Sequence, residues 1–205
     1  ICTRILNMCS YHGFRDKVHE VQIDCDWTET TENTYFHLLD EMRYILNAQG
    51  IILSATIRLH QLRTSAPPVD RGVLMLYNTG SLKHPETKNS ILSNVDAMPY
   101  LKRINYSLPL DYAFPNFGWG VWFCNNAFQA ILHQQDYSDE NLYEQTDSTH
   151  YRVIKNHYNE GHWLICGDII RKETSEMVAI EQLKQHLSFS EETSIIMYHL
   201  DETNL

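Results

Sequence analysis

The chain has 205 residues, 43% of them hydrophobic and 20% charged, enough for one globular domain with a hydrophobic core. Its 26 acidic residues against 16 basic give a net charge of −10, which argues against nucleic acid and anionic membranes as partners. No run of about 18 apolar residues occurs, so no transmembrane segment is expected.

Ile1, Ile5, Leu6 and Met8 recur at helical spacing and predict an opening helix. The chain begins on Ile rather than Met, so a processed or truncated chain is expected. Val21 to Trp27 follows as a strand. Side chains alternate across a strand, which puts Val21, Ile23, Cys25 and Trp27 on one face and Gln22, Asp24 and Asp26 on the other. An apolar outer face with a polar inner face suits a barrel strand lying under helices. A helix is predicted from Thr31 to Asn47, with Tyr35, Leu38, Leu39, Met42, Ile45 and Leu46 at helical spacing and Gly50 placed to end it. The strand Ile51 to Arg58 repeats the first pattern, with Leu53, Ala55 and Ile57 against Ser54, Thr56 and Arg58. Gly72 to Asn78 is a third strand, placing Val73, Met75 and Tyr77 together.

A helix over about 90–103 is interrupted by Pro99. Ser107 to Tyr112 reads as a fourth strand with Ser107, Pro109 and Asp111 on one face. Strands alternating with helices in this order predict an α/β fold with a parallel sheet or barrel. The alternation stops at residues 113–170, which are rich in Tyr, Trp, Asn, Gln and His and read as an insertion over the strand ends. Within it, 151–155 and 163–170 read as a hairpin around Asn159-Glu160-Gly161. A helix from Ser175 to Leu187 and a strand from Ser194 to His199 restore the pattern. The expected fold is therefore a single-domain (β/α) TIM-type barrel that lacks its first strands and carries an insertion before its last one.

The five cysteines have no metal or redox spacing and read as mostly buried, reduced thiols. The eleven histidines form no zinc pattern, so neither a metal nor another cofactor is expected. There is no nucleophile elbow and no glycine-rich phosphate loop.

Three strands together resemble the chitinase-type glycoside hydrolases of family 18. That family has a strand ending D-x-x-D-x-D-x-E, a later M-x-Y-D strand and a G-L-P-x-Y-G strand. Here Ile23-Asp24-Cys25-Asp26-Trp27, Met75-Leu76-Tyr77-Asn78 and Ser107-Leu108-Pro109-Leu110-Asp111-Tyr112 keep that order. The run from Val21 to Asp26 is also similar to that of a family of uncharacterised bacterial barrel proteins, several of them predicted lipoproteins. The resemblance implies a glycosidase-like protein with a carbohydrate partner. It also implies a bacterial source and an extracytoplasmic location. It departs from the motif at two positions: Thr28 stands where the family has its general acid, and Asn78 where it has a carboxylate.

Glycoside hydrolysis ordinarily needs two carboxyl groups across the scissile bond. Asp24 and Asp26 share one face about 6–7 Å apart along the strand, close enough for one to raise the pKa of the other. The expected site has Asp26 as general acid, Asp24 as its electrostatic tuner and Asp111 as the second carboxylate. Tyr77 and Asn78 would contact the sugar, with Trp119 or Trp122 stacking on it and Arg58 nearby. Structural alternatives stand beside each role: Arg58 neutralising the Asp pair, Tyr77 filling the barrel, Asp111 capping a helix or pairing with a Lys, and the tryptophans forming the insertion's core. A non-catalytic carbohydrate-binding barrel and a protein-interaction scaffold are the alternative functions.

Overall fold

The computed structural model describes residues 1–102 and 104–200. In chain order the elements are α1 (Cys2–Tyr11), β1 (Glu20–Ile23), α2 (Glu32–Asn47), β2 (Ile52–Ile57), β3 (Arg71–Met75), α3 (Asn94–Leu101), β4 (Leu110–Pro115), β5 (Gly118–Cys124), β6 (Ala127–Leu132), β7 (Tyr143–Gln145), β8 (His150–Val153), β9 (His157–Asn159), β10 (His162–Leu164), β11 (Ile169–Thr174), α4 (Met177–Lys184) and β12 (Ile195–Tyr198). The expected helix over 90–103 is observed as α3; Arg103 lies outside the described residues. The chain divides into two compact units.

The first unit comprises Ile1–Met75, Tyr100–Ala113 and Ser188–Ile196. It is built on a five-stranded sheet of order β1-β2-β3-β4-β12, in which the first four strands pair in parallel. Parallel neighbours in sequence order are what β/α alternation produces. The register carries the two-faced reading across the sheet. Ala55 lies opposite Ile23, Thr56 opposite Val73, and Val73 opposite Asp111. Asp24, Thr56, Val73 and Asp111 therefore share one face, while Leu53, Ala55, Ile57 and Leu74 are buried on the other. Helix α2 buries Tyr35, Leu39, Met42 and Leu46, a stripe at helical spacing, and packs on β2.

The fourth strand begins three residues later than the sequence pattern suggested. Pro109 has no N–H to give a ladder, and its carbonyl accepts the Gly72 N–H at 2.9 Å; the apolar run Tyr112-Ala113-Phe114 extends the strand instead. Ser107 and Pro109 thus precede the strand, and Asp111 is its second residue.

The second unit comprises Leu76–Pro99, Phe114–Leu187 and the chain from Met197. Its sheet has the order β6-β5-β11-β8-β7, with antiparallel pairing throughout. One face carries a core of Leu132, Tyr137, Tyr143, Val153, Leu164 and Ile170. The turn falls at Asn159-Glu160-Gly161 as expected, but its arms are the short strands β9 and β10; the expected arm 151–155 lies largely in β8, which pairs with β11. Both turn residues have positive φ, 49° at Glu160 and 80° at Gly161, the left-handed geometry that matches the twist of a two-residue hairpin.

All five cysteines are free, but they are not mostly buried. Cys2 and Cys9 are buried, Cys124 is half-buried, and Cys25 and Cys166 are exposed. The two exposed thiols lie beyond strand ends, where the period-2 burial pattern no longer applies. No helix among the described residues is long and apolar enough to cross a membrane.

Candidate functional site

In the first unit, β1 ends at Ile23 and the chain carries Asp24 and Asp26 past the strand end. The register still governs their partners. One step beyond the Ile23–Ala55 pair, Asp24 meets Thr56, whose hydroxyl donates to Asp24 Oδ1 at 2.8 Å. Two residues on, both oxygens of Asp26 accept from the Arg58 guanidinium, a bidentate pair with both side chains about half exposed. The Asp24–Asp26 pair is therefore held by two successive partners on the next strand. Each Asp26 oxygen thus has one Arg58 donor.

Behind this face Trp27 stacks on Tyr35, with ring centroids 5.1 Å apart. The Tyr35 hydroxyl is buried without a hydrogen-bond partner. Burial, then the charges of Cys25, Asp24 and Asp26, push its pKa above the usual phenol value, so it stays a neutral hydroxyl.

Asp111 does not sit with this pair at the strand ends. It lies at the N-terminal end of β4, only 4% exposed, with Oδ2 accepting from Arg71 at 3.0 Å and Oδ1 from the Ser194 N–H at 2.6 Å. Arg71 is the first residue of β3, so the pair joins strand beginnings, the end of such a sheet associated with stability rather than chemistry. The partner of Asp111 is Arg rather than the Lys considered from sequence, and the ion pair is buried. A 320 Å³ cavity adjoins it, lined in part by Tyr106, Phe189 and Ser190.

In the second unit, Trp119 and Trp122 are three apart on β5 and fall on opposite faces. Trp122 packs against the core and donates Nε1–H to Asp168 at 2.8 Å. Its expected sugar-stacking role is corrected by alternation to a core role. Trp119 lines a cleft of 310 Å³ together with Asn78, Phe117, Gly118, His133, Gln135, Tyr198 and His199. That volume is at the lower end of small-molecule pockets, which run to about 300–1,000 Å³. Phe117 is the hub of its aromatic wall, 5.1 Å from Trp119 and edge-on to Tyr198 at 6.1 Å. Tyr77 lies behind the wall, stacked on Tyr198 at 4.7 Å. Asn78 has φ 53°, a left-handed conformation that Asn tolerates and that lets it line the cleft just past β3. Among the described residues, those lining this cleft include no Asp, Glu, Lys or Arg.

Under the cleft lies a polar network absent from the sequence reading. On β11, Arg171 and Glu173 share a face two residues apart and form an ion pair at 2.6 Å with both side chains fully buried. The remaining guanidinium donors reach the carbonyls of His84 at 2.7 Å, Pro85 at 3.1 Å and Leu82 at 3.3 Å. Glu173 Oε2 accepts from Trp119 Nε1 at 2.9 Å, from the Ser90 N–H at 2.9 Å and from the Ser90 hydroxyl at 2.5 Å. The sequence offers no clear signal for this pair, since β11 reads Ile-Ile-Arg-Lys-Glu-Thr and Arg171 and Glu173 stand among other polar residues. Among the described residues no group of His, Cys, Asp and Glu side chains is arranged to hold a metal ion.

No protein-family model matches the sequence. No curated protein matches it either. Solved structures do match. The spore cortex-lytic enzyme SleL of Bacillus cereus aligns with a TM-score of 0.56 and 14% identity, over 96% of this chain and 48% of its own. A chitinase from Chromobacterium violaceum aligns at 0.57 and 10%, over 97% and 65%. A class V chitinase from Nicotiana tobaccum aligns at 0.53 and 12%, over 95% and 67%. The chain thus has the fold of the TIM-barrel glycosidases and spans about half to two thirds of the length of these structures.

Proposed function

We propose that the protein is a glycoside hydrolase-like barrel that binds a neutral carbohydrate in the aromatic cleft of its second unit. The cleft carries this reading. A rigid wall of Phe117, Trp119 and Tyr198 supplies flat apolar faces for a pyranose ring. Amide and imidazole groups of Asn78, Gln135 and His133 supply donors and acceptors for hydroxyls. Among the described residues no Asp, Glu, Lys or Arg lines the cleft, which fits a neutral sugar better than a uronic or sulfated one. The glycosidase-type fold adds an argument by analogy only. An extracytoplasmic location, where structural polysaccharides are found, goes with the same reading.

A specific observation favours the second reading, binding without hydrolysis. Thr28 replaces the expected acid, and Asp26 is paired on both oxygens with Arg58. The test is calorimetric titration of the protein with hexamers of glucose and of N-acetylglucosamine, alongside an assay for released reducing ends. Trp119→Ala should weaken binding at least tenfold, the loss of roughly 1.5 kcal/mol of aromatic contact. Cleavage by the native protein that Asp26→Asn abolishes means an enzyme acting through Asp26. Binding without cleavage means the second reading. If Trp119→Ala leaves binding unchanged, the cleft is not the sugar site.

A further inference from the structure

We infer that Glu173 is a positioning residue that fixes the aromatic surface of the cleft, although it lies buried beneath it. The inference rests on the reading that the cleft binds a sugar. An indole on a strand can swing about two side-chain torsions, and a platform that must stop moving when a ligand arrives binds more weakly. Trp119 is held by a charge-assisted bond from Nε1–H to Glu173, at 2.9 Å. The carboxylate is itself immobilised: it is fully buried and accepts from Arg171 and from both donors of Ser90. Arg171 is fixed in turn by three backbone carbonyls at positions 82, 84 and 85 and by the Phe123 ring, 5.1 Å from the guanidinium carbon. The loop and the indole are thus set by one carboxylate. A fully satisfied buried network costs stability relative to an apolar core, and here its outlet is the ring that lines the cleft.

The experiment is a double-mutant cycle on sugar affinity with Glu173→Gln, Trp119→Phe and the double variant, read by titration with the two hexamers. Indole N–H resonances, followed by two-dimensional NMR, report the bond directly, and Trp119→Phe identifies its signal. Glu173→Gln should shift the Trp119 resonance and weaken binding about tenfold. In the Trp119→Phe background it should cost nothing further. Equal losses in both backgrounds, or an unmoved indole signal, overturn the inference while leaving the cleft as the sugar site. No binding by the native protein, or binding that Trp119→Ala leaves intact, overturns the functional reading and this inference with it. Should Glu173→Gln fail to fold because Arg171 is left uncompensated, Arg171→Met with Glu173→Gln removes both charges and the cycle is run on that pair.

Discussion

Two aspartate–arginine pairs in the first unit look alike on paper and differ in what surrounds them. Asp26 and Arg58 are about half exposed, so water screens their attraction and the pair contributes about 0–1 kcal/mol. Asp111 and Arg71 are only 6% and 20% exposed at the side chain. Removing Arg71 leaves a buried carboxylate with one backbone donor, a loss of about 2–4 kcal/mol after allowing for Arg71's partial exposure. Arg71→Met should therefore lower the urea midpoint far more than Arg58→Met; comparable losses would show that burial does not separate the two pairs. Arg58 as the partner of the Asp pair was legible in the sequence, because strand alternation put it on the same face one strand over; the Thr56 hydrogen bond to Asp24 was not read. Glu173 was not legible. Its ion-pair partner Arg171 is two residues away, but its other partners, Ser90 and Trp119, lie far along the chain, and burial of the pair is visible only once they are known.

At the scale of elements, local chemistry decided what could be read. The turn between β9 and β10 was visible because Asn-Glu-Gly suits a turn that needs two residues at positive φ. Gly161 has φ 80°, and a Cβ added there meets nothing within 4 Å. Any cost of substitution is therefore backbone strain alone. Gly161→Ala should destabilise the protein by about 1 kcal/mol, and Gly161→Asn by less, since Asn tolerates that region. Equal chemical denaturation curves for all three would contradict the turn assignment. The start of β4 was misread because Ser-Leu-Pro-Leu-Asp-Tyr alternates well on its own; the missing N–H of Pro109 outweighs alternation. That three-residue shift moved Asp111 from the end of a strand to its beginning. Trp122 was misread too, since a spacing of three on a strand separates two side chains that a helix would bring together.

For the molecule as a whole, the response to acid should be uneven. In the second unit Asp136, Asp139 and Asp147 are all held below the usual carboxylate range by local hydrogen bonds. The donors are Ser138 for Asp136, the Asn141 N–H and amide for Asp139, and the Thr149 N–H with His150 for Asp147. Carboxylates with depressed values stabilise the fold above the unfolded value of about 3.9 and lose that contribution as pH falls through the folded value. Protection factors, corrected for the pH dependence of intrinsic exchange, should therefore fall first in the segment 136–150 as pH drops below about 4. Asp147→Asn should remove part of that pH dependence and lower stability at pH 7, where the charged carboxylate contributes in full. A uniform loss of protection across both units would sink the prediction.

The way the chain is shared between the units has a consequence for its synthesis. The first unit takes chain from Ile1–Met75, from Tyr100–Ala113 and from Ser188–Ile196, and Ser194 closes onto Asp111 from 83 positions away. Neither unit can finish in order of emergence from the ribosome. While the intervening residues are still being made, β4 must wait with one hydrogen-bonding edge uncovered, and an uncovered edge invites pairing with another nascent chain. Slow closure of such distant contacts is expected from topology alone. Co-expression with a chaperone that shields unpaired strands should accordingly raise the yield of soluble protein more than lowering the rate of any single local folding step.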